Sequence, residues 1–216
     1  MAALKIDMSM AYDHIEWDFL RSMMVKLGFD AIWIELIMLC VTTITYNVIR
    51  EGTTVGPIVL TRGLRQGDPL SPYLFILCAV GLSSLLRKNK RAGFIHSAKV
   101  ARGALVVSHL FFADYCFLLF NANQREACLI KHMLVEYGVD SGQVVNFNKS
   151  SVLFSANVSE ANARQICDIL EVTATTNHGA YLGLPSSVGR RKKDVFNFIK
   201  DKVWKKLQGW KQKILS

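Results

Sequence analysis

Apolar positions recur along this chain on two periods, about two residues in some stretches and three to four in others, and the two patterns alternate from end to end. Leu4-Lys5-Ile6-Asp7 predicts the end of a strand that leaves Asp7 at its mouth. Trp17, Leu20, Met24 and Leu27 follow helical spacing towards a cap at Gly28. Asp30 can cap a second helix with Ile34, Ile37, Met38, Val41 and Ile44 on its apolar face. Residues 46–61 read as a hairpin broken at Glu51-Gly52. A helix over residues 72–86 starts on Ser71-Pro72 as N-cap and first-turn proline, and ends among Arg87, Lys88, Lys90 and Arg91, cations that suit a carboxyl-terminal dipole.

Residues 100–120 supply three short strands, turning at Arg102-Gly103 and again at Ala113-Asp114. The last two form a hairpin whose arms, rich in Phe and Leu, meet at Ala113-Asp114-Tyr115, the only break in apolarity. Asp114 then sits at the tip, either as a plain turn former or as a presented carboxylate. Asn123 can cap a helix with Cys128, Ile130, Met133, Leu134 and Tyr137 inward, ended near Gly142. Residues 144–154 read as two strands around Asn146, Asn148 and Lys149, Ser159 opens a helix carrying Ile166, Ile169 and Leu170, and residues 178–185 form a further short hairpin. From Lys193 onward Val195, Ile199, Val203, Leu207, Trp210 and Ile214 make one apolar stripe on an otherwise basic helix. Such a helix can be a solvated face, lie on a phosphate backbone or rest on a membrane surface.

Composition adds that the 216 residues, 51% hydrophobic, can bury a core of α+β class. The net charge of +9 favours an acidic polymer as partner, and ten Lys and Arg against two Asp from Arg190 onward carry nearly all of it. The natural division is therefore 1–186 and a basic helical segment, 187–216. The five cysteines show no metal-ligand spacing, so free, mostly buried thiols are expected. No apolar run reaches the roughly 20 residues of a membrane helix and no signal-peptide pattern opens the chain, so an intracellular protein, nuclear or cytoplasmic, is expected.

The most unusual stretch is Arg62-Gly63-Leu64-Arg65-Gln66-Gly67-Asp68-Pro69-Leu70-Ser71-Pro72, a polar, Gly-rich loop feeding a buried helix. Gly lets backbone approach a ligand closely and a helix start points amides outward, so the loop suits phosphates or a nucleotide. Its bland alternative is a plain loop with a well-made cap.

Asp7 with Tyr12 and Asp13, the loop just named, Phe112-Ala113-Asp114, and Tyr181-Leu182-Gly183-Leu184-Pro185 occur in one order that closely resembles the reverse transcriptase of plant LINE-type, non-LTR retrotransposons, over essentially the whole chain. The resemblance implies a polymerase palm, a small antiparallel sheet covered by helices, followed by a basic helical start of the thumb. It implies two Mg2+ ions, with Asp7, Asp114 and the Met8 backbone carbonyl as ligands. Tyr12 matches the aromatic under the incoming sugar, Gln66 and Gly67 the nucleotide-contacting loop, and Lys149 a lysine that protonates departing pyrophosphate. Arg62, Arg65, Leu182, Gly183, Arg190, Arg191, Lys192, Lys193, Lys205 and Lys206 match positions that hold nucleic acid. Implied partners are an RNA template, a DNA primer and deoxynucleotides, with no membrane.

The family reads Phe-Ala-Asp-Asp where this chain reads Phe-Ala-Asp-Tyr, so Tyr115 takes the place of a catalytic carboxylate. A neutral phenol is a poor magnesium ligand, so impaired catalysis is expected. The chain also opens a few residues before Asp7, from which a palm without fingers and without most of the thumb is expected. The alternatives are a non-catalytic nucleic-acid-binding remnant and an open reading frame of a decayed element.

Overall fold

The computed structural model describes residues 1–99, 106–112, 115–176, 180–181, 184–185 and positions 197, 200, 201, 203 and 204. The chain divides into two compact units, Met1–Ala174 and Thr175–Ser216. The boundary expected at 186/187 falls outside the described residues.

The first unit is built on β1 (Ala2–Ser9). It pairs antiparallel with β7 (Tyr115–Phe120) on one side and β9 (Ser151–Phe154) on the other. β6 (His109–Phe112) and β10 (Thr173–Thr175) complete the order β10-β9-β1-β7-β6, and β8 (Val144–Val145) joins the far end of β1. Period-two alternation sorts the faces: Ala2, Leu4, Ile6 and Met8 are buried, as are their cross-strand neighbours Phe120, Leu118 and Cys116 and, on β9, Val152. Lys5 and Asp7, with Phe117 and Tyr115 opposite them, occupy the other face. The strand runs on to Ser9, so Asp7 lies inside it and not at its mouth.

The apolar face closes against five helices, α1 (Trp17–Lys26), α2 (Ala31–Thr42), α3 (Ser71–Arg91), α4 (Gln124–Ser141) and α5 (Glu160–Leu170). Leu20 and Met24 of α1, Leu74, Cys78 and Leu82 of α3, and Ile130, Met133 and Tyr137 of α4 form one core with the sheet. Three expected positions differ. Leu27 follows the last turn of α1 and is exposed, Ile44 lies beyond α2, and Cys128 lies one residue off the Ala127/Ile130/Met133/Leu134 stripe and is exposed. With Cys40 also exposed, the thiols are free but not mostly buried: Cys78 and Cys116 are.

Caps account for several boundaries. Asp30 Oδ1 accepts from the Ile32 amide, and Ser159 caps α5. At α4 the Asn123 side chain caps the helix by accepting from the Glu126 amide, while the buried Glu126 carboxylate accepts from Asn123 Nδ2, the Asn121 and His96 amides and His96 Nδ1, so the cap is drawn into a network. Gly142 ends α4 in the left-handed region, at φ +76°. Ser71 is not the cap of α3: the helix includes it, with Leu70 as its half-in residue, and Asp68 Oδ1 accepts from the Leu70 amide at 2.8 Å. The helix also runs past Leu86 to Arg91, because nothing in Arg87-Lys88-Asn89-Lys90 opposes helical backbone.

β2 (Thr45–Arg50) and β3 (Thr53–Val59) form the expected hairpin, with Glu51 and Gly52 both at positive φ in its turn. β4 (Ala98–Lys99) pairs β5 (Val106–Val107), and the Arg102-Gly103 turn lies outside the described residues. β6 and β7 pair from His109↔Leu118 to Phe112↔Tyr115, so Tyr115 belongs to a strand, and only Ala113 and Asp114, both outside the described residues, stand between the arms. In the second unit β11 (Ala180–Tyr181) pairs β12 (Leu184–Pro185). Leu182, Gly183, Arg190, Arg191, Lys192, Lys193, Lys205 and Lys206 lie outside the described residues, while positions 197, 200, 201, 203 and 204 are helical. No helix among the described residues is long and apolar enough to cross a membrane.

Candidate active site

Asp7 is held by its backbone. The Asn146 amide donates to the Asp7 carbonyl at 2.8 Å, the Asp7 amide donates to Ser150 Oγ at 3.2 Å, and that hydroxyl donates back to the Asn146 carbonyl at 2.8 Å. The turn after β8 is thereby clasped to the middle of β1, which brings Lys149 to the same edge of the sheet as Asp7. The Asp7 residue is 8% exposed, and by register it sits directly opposite Tyr115.

The Gly-rich loop is fastened to the segment after β1. The Leu64 amide donates to the Tyr12 carbonyl and the Gly63 amide to the Ile15 carbonyl, each at 2.8 Å, while Trp17 Nε1 donates to the Gly63 carbonyl at 2.8 Å. Gly63 has φ +92°, and a Cβ there would lie 2.8 Å from the Asp13 carbonyl oxygen, so both conformation and space demand glycine. Leu64 anchors the loop in the core, and the Tyr12 ring stacks on Phe75 of α3 with centroids 4.9 Å apart and planes at 14°. These contacts aim the loop and the start of α3 at the ground between Tyr12 and Asp7.

One open cleft of about 790 Å³ results, bordered by Asp7, Met8, Tyr12, Gln66, Gly67, Tyr115 and Lys149. Seven residues singled out from four distant stretches of sequence therefore share a single cavity. Asp68 and Asn146 border it as well. Asp68 was legible as part of the loop motif, whereas Asn146 carries no signal beyond its place in Asn-Phe-Asn-Lys-Ser. Arg62 and Arg65 instead border a neighbouring groove of about 540 Å³ with Asp13 and Tyr46, touching the cleft only through Gln66. Arg62 is turned towards Glu16, 3.4 Å away. Asp114 lies outside the described residues.

Asp7 and Asp68 are the carboxylates among the described residues of the cleft, and no group of three or more His, Cys, Asp or Glu among the described residues is placed to hold a metal ion. Cys116, the β7 neighbour of Tyr115, is a buried thiol whose pKa is pushed upward by burial, so it offers no thiolate here.

Residues 2–186 match the family model for reverse transcriptase (RNA-dependent DNA polymerase). The chain belongs to the reverse transcriptase family. Two curated relatives match the chain as well. An uncharacterised mitochondrial protein of Arabidopsis thaliana is 47% identical over 64 residues, 30% of this chain and 52% of that protein. A retrovirus-related Pol polyprotein from the type-1 retrotransposable element R2 of Popillia japonica is 26% identical over 208 residues, 91% of this chain and 33% of that protein. The reverse transcriptase domain described here thus spans about half and a third of these relatives' lengths. Among solved structures, apo telomerase from Candida tropicalis, truncated from its C-terminal domain, shares the fold with a TM-score of 0.52 at 17% identity, over 74% of this chain and 31% of that one.

Proposed function

We propose that this chain is the palm of a LINE-type retrotransposon reverse transcriptase, plant-type by its motifs, and that Tyr115 leaves it with little polymerase activity. The observation that supports this most is the convergence of Asp7, Tyr12, Gln66, Gly67 and Lys149 on one cleft. In this reading a deoxynucleotide lies in the cleft with its sugar over the Tyr12 ring, which Phe75 holds flat. Gln66 and Gly67 line its base and phosphates, and Gly67, at φ +85° with open space around it, lets the backbone come close. Lys149 Nζ is the proton donor to the leaving pyrophosphate, and RNA template and DNA primer approach the cleft as in the family.

The donor set suits a hard cation in part. Asp7 offers a carboxylate and Met8 a backbone carbonyl, oxygen ligands of the kind Mg2+ takes, and Asp114 is the second carboxylate of the reading. Bound Mg2+ would stabilise negative charge on the transferring phosphoryl group and on the primer oxygen. Tyr115, opposite Asp7, puts a phenol where the family has a third carboxylate, so the residues present fit one ion better than two.

RNA-templated primer extension with magnesium or manganese tests the proposal, with deoxynucleotide binding to the cleft measured separately. Weak or no extension by the chain and a gain on the order of 10²–10³ in Tyr115→Asp are expected, from the several kcal/mol an added metal contact contributes. Full extension by the unaltered chain would remove the impairment, and a chain that binds no deoxynucleotide even as Tyr115→Asp would remove the polymerase reading. Tyr115 itself favours a second reading, a nucleic-acid-binding domain without catalysis. Binding of template–primer with no extension in either version would select it.

A further inference from the structure

A second cavity lies at the opposite end of α3 from the cleft. It is an open groove of about 630 Å³ between the last turns of that helix and the strands β5 and β6, and none of its bordering residues borders the cleft. Its helical wall is Arg87, Lys90 and Arg91, at the i, i+3, i+4 spacing that puts three side chains on one face about 5–6 Å apart. Its other wall is the backbone and side chains of residues 106–110.

Among the described residues no carboxylate and no aromatic ring larger than imidazole borders the groove, and none of the three cations makes an ion pair. A helix carboxyl terminus attracts cations, but that attraction accounts equally for Lys88, which points away from the groove towards α1 and α4. It does not account for three cations gathered on one wall of a concavity.

His109 reports the field inside. Its ring is fixed at both nitrogens, Nε2 2.8 Å from Ser83 Oγ and Nδ1 2.9 Å from Ser108 Oγ. Burial lowers its pKa, and the charges of Arg87 and Lys90 lower it further. The groove therefore carries positive charge that no described residue lining it offsets.

We propose that this groove binds the phosphodiester backbone of a nucleic-acid strand, at a site separate from the Asp7 cleft. Three cations along one helix face can each meet a phosphate of a strand laid through the groove. With no Phe, Tyr or Trp among the described residues of the groove and the His109 ring held at both nitrogens by Ser83 and Ser108, contact is with the backbone and independent of sequence. The concave shape favours a strand over a bilayer, which a protruding apolar face would suit better. The choice of nucleic acid rests on membership of the reverse transcriptase family, while the site itself does not depend on the polymerase reading.

The test is fluorescence anisotropy of the full chain with labelled single-stranded RNA and, in a second arm, duplex DNA, each across a salt series. The triple variant R87E/K90E/R91E is compared with K88E, which makes the same kind of charge change on the same turn outside the groove. The triple variant is expected to bind at least about tenfold more weakly and to lose about 2 from the salt slope, at about 0.7 per phosphate contact on a single strand. K88E is expected to stay within about twofold of the unaltered chain. Near-UV circular dichroism checks the fold, and R87Q and R91Q, each milder, are expected to show the same direction if the triple variant unfolds. Loss in K88E equal to that in the triple variant, or binding unchanged in the triple variant, overturns the proposal. So does groove-dependent binding of phosphatidylserine vesicles with RNA binding unaffected. Deoxynucleotide binding in the cleft is expected to be the same in the triple variant, so failure at the groove leaves the cleft reading standing, and the converse holds.

Discussion

The Lys5 ammonium lies 4.7 Å from the centroid of the Tyr115 ring. The two are diagonal neighbours on the face of the sheet that carries Asp7, since Tyr115 pairs with Asp7 and Lys5 stands two residues back along β1. A cation over a ring on a partly open face contributes about 0.5–1 kcal/mol. Tyr115→Asp replaces it with an ion pair of similar size. We expect the melting temperature of Tyr115→Asp to stay within a few degrees of the unaltered chain, and to rise on adding Mg2+ by more than the unaltered chain does. Scanning fluorimetry with and without the ion reads both. Equal responses in the two chains would show that position 115 does not govern metal affinity.

Gly63→Ala and Gly67→Ala should separate space from conformation. Both glycines are at positive φ, which costs an L-residue about 1–2 kcal/mol. Only Gly63 has backbone within 3 Å of a built Cβ. Urea denaturation should give a loss of about 3 kcal/mol or more for Gly63→Ala, by adding a clash of about 1–3 kcal/mol, and about 1–2 kcal/mol for Gly67→Ala. Similar losses at both positions would mean that the loop gives way at Asp13.

The carboxyl of Glu126 should set part of the acid sensitivity. Burial alone would raise its pKa, but hydrogen bonds from the His96 amide and ring, the Asn121 amide and Asn123 Nδ2 outweigh that and hold it below the ordinary value. A lowered folded-state pKa means that the unfolded chain takes up the proton first as pH falls. The stabilisation is therefore present above about pH 4.3 and lost as pH drops through the folded value. Glu126→Gln should flatten the stability profile below that pH and cost about 2–3 kcal/mol at pH 7, from charge-assisted bonds. Equilibrium unfolding at stepped pH measures both.

Thiol labelling should fall into two classes. Cys40 and Cys128 are exposed, while Cys78 and Cys116 are buried in the core, and burial pushes the Cys78 thiol up to about 12. A disulfide reagent at pH 8 should modify Cys40 and Cys128 in the folded chain, and reach Cys78 and Cys116 only with unfolding. Labelling of Cys116 at the rate of Cys128 would mean that the β1–β7 pair opens readily.

What could be read from the sequence was what is local. The α4 cap at Asn123, the Gly142 stop, the Glu51-Gly52 turn and the apolar arms of β6 and β7 each lie within a few residues of the signal that announces them. The loop motif was legible because its glycines and proline are conformational demands. The clasp on Asp7 was not, since its partners stand 143 positions apart and leave no periodic trace. The cap of α3 misled because Asp68 and Ser71 are both good caps and only tertiary placement chose between them. The extent of β1 was hidden for a related reason: Asp7 and Ser9 look like a strand's end until β8 supplies partners for Met8 and Ser9.

The central place of β1 governs how the molecule is made. Met1, just before it, donates to and accepts from Ser155, 154 positions later, and the neighbour strands of β1 include β9, among the last elements of the first unit. At roughly 5–20 residues per second, a ribosome needs on the order of 10 to 30 s to deliver those partners. For that interval the apolar strand that will carry Asp7 emerges with its ladder unfilled, so the site can form only after β9 has been made.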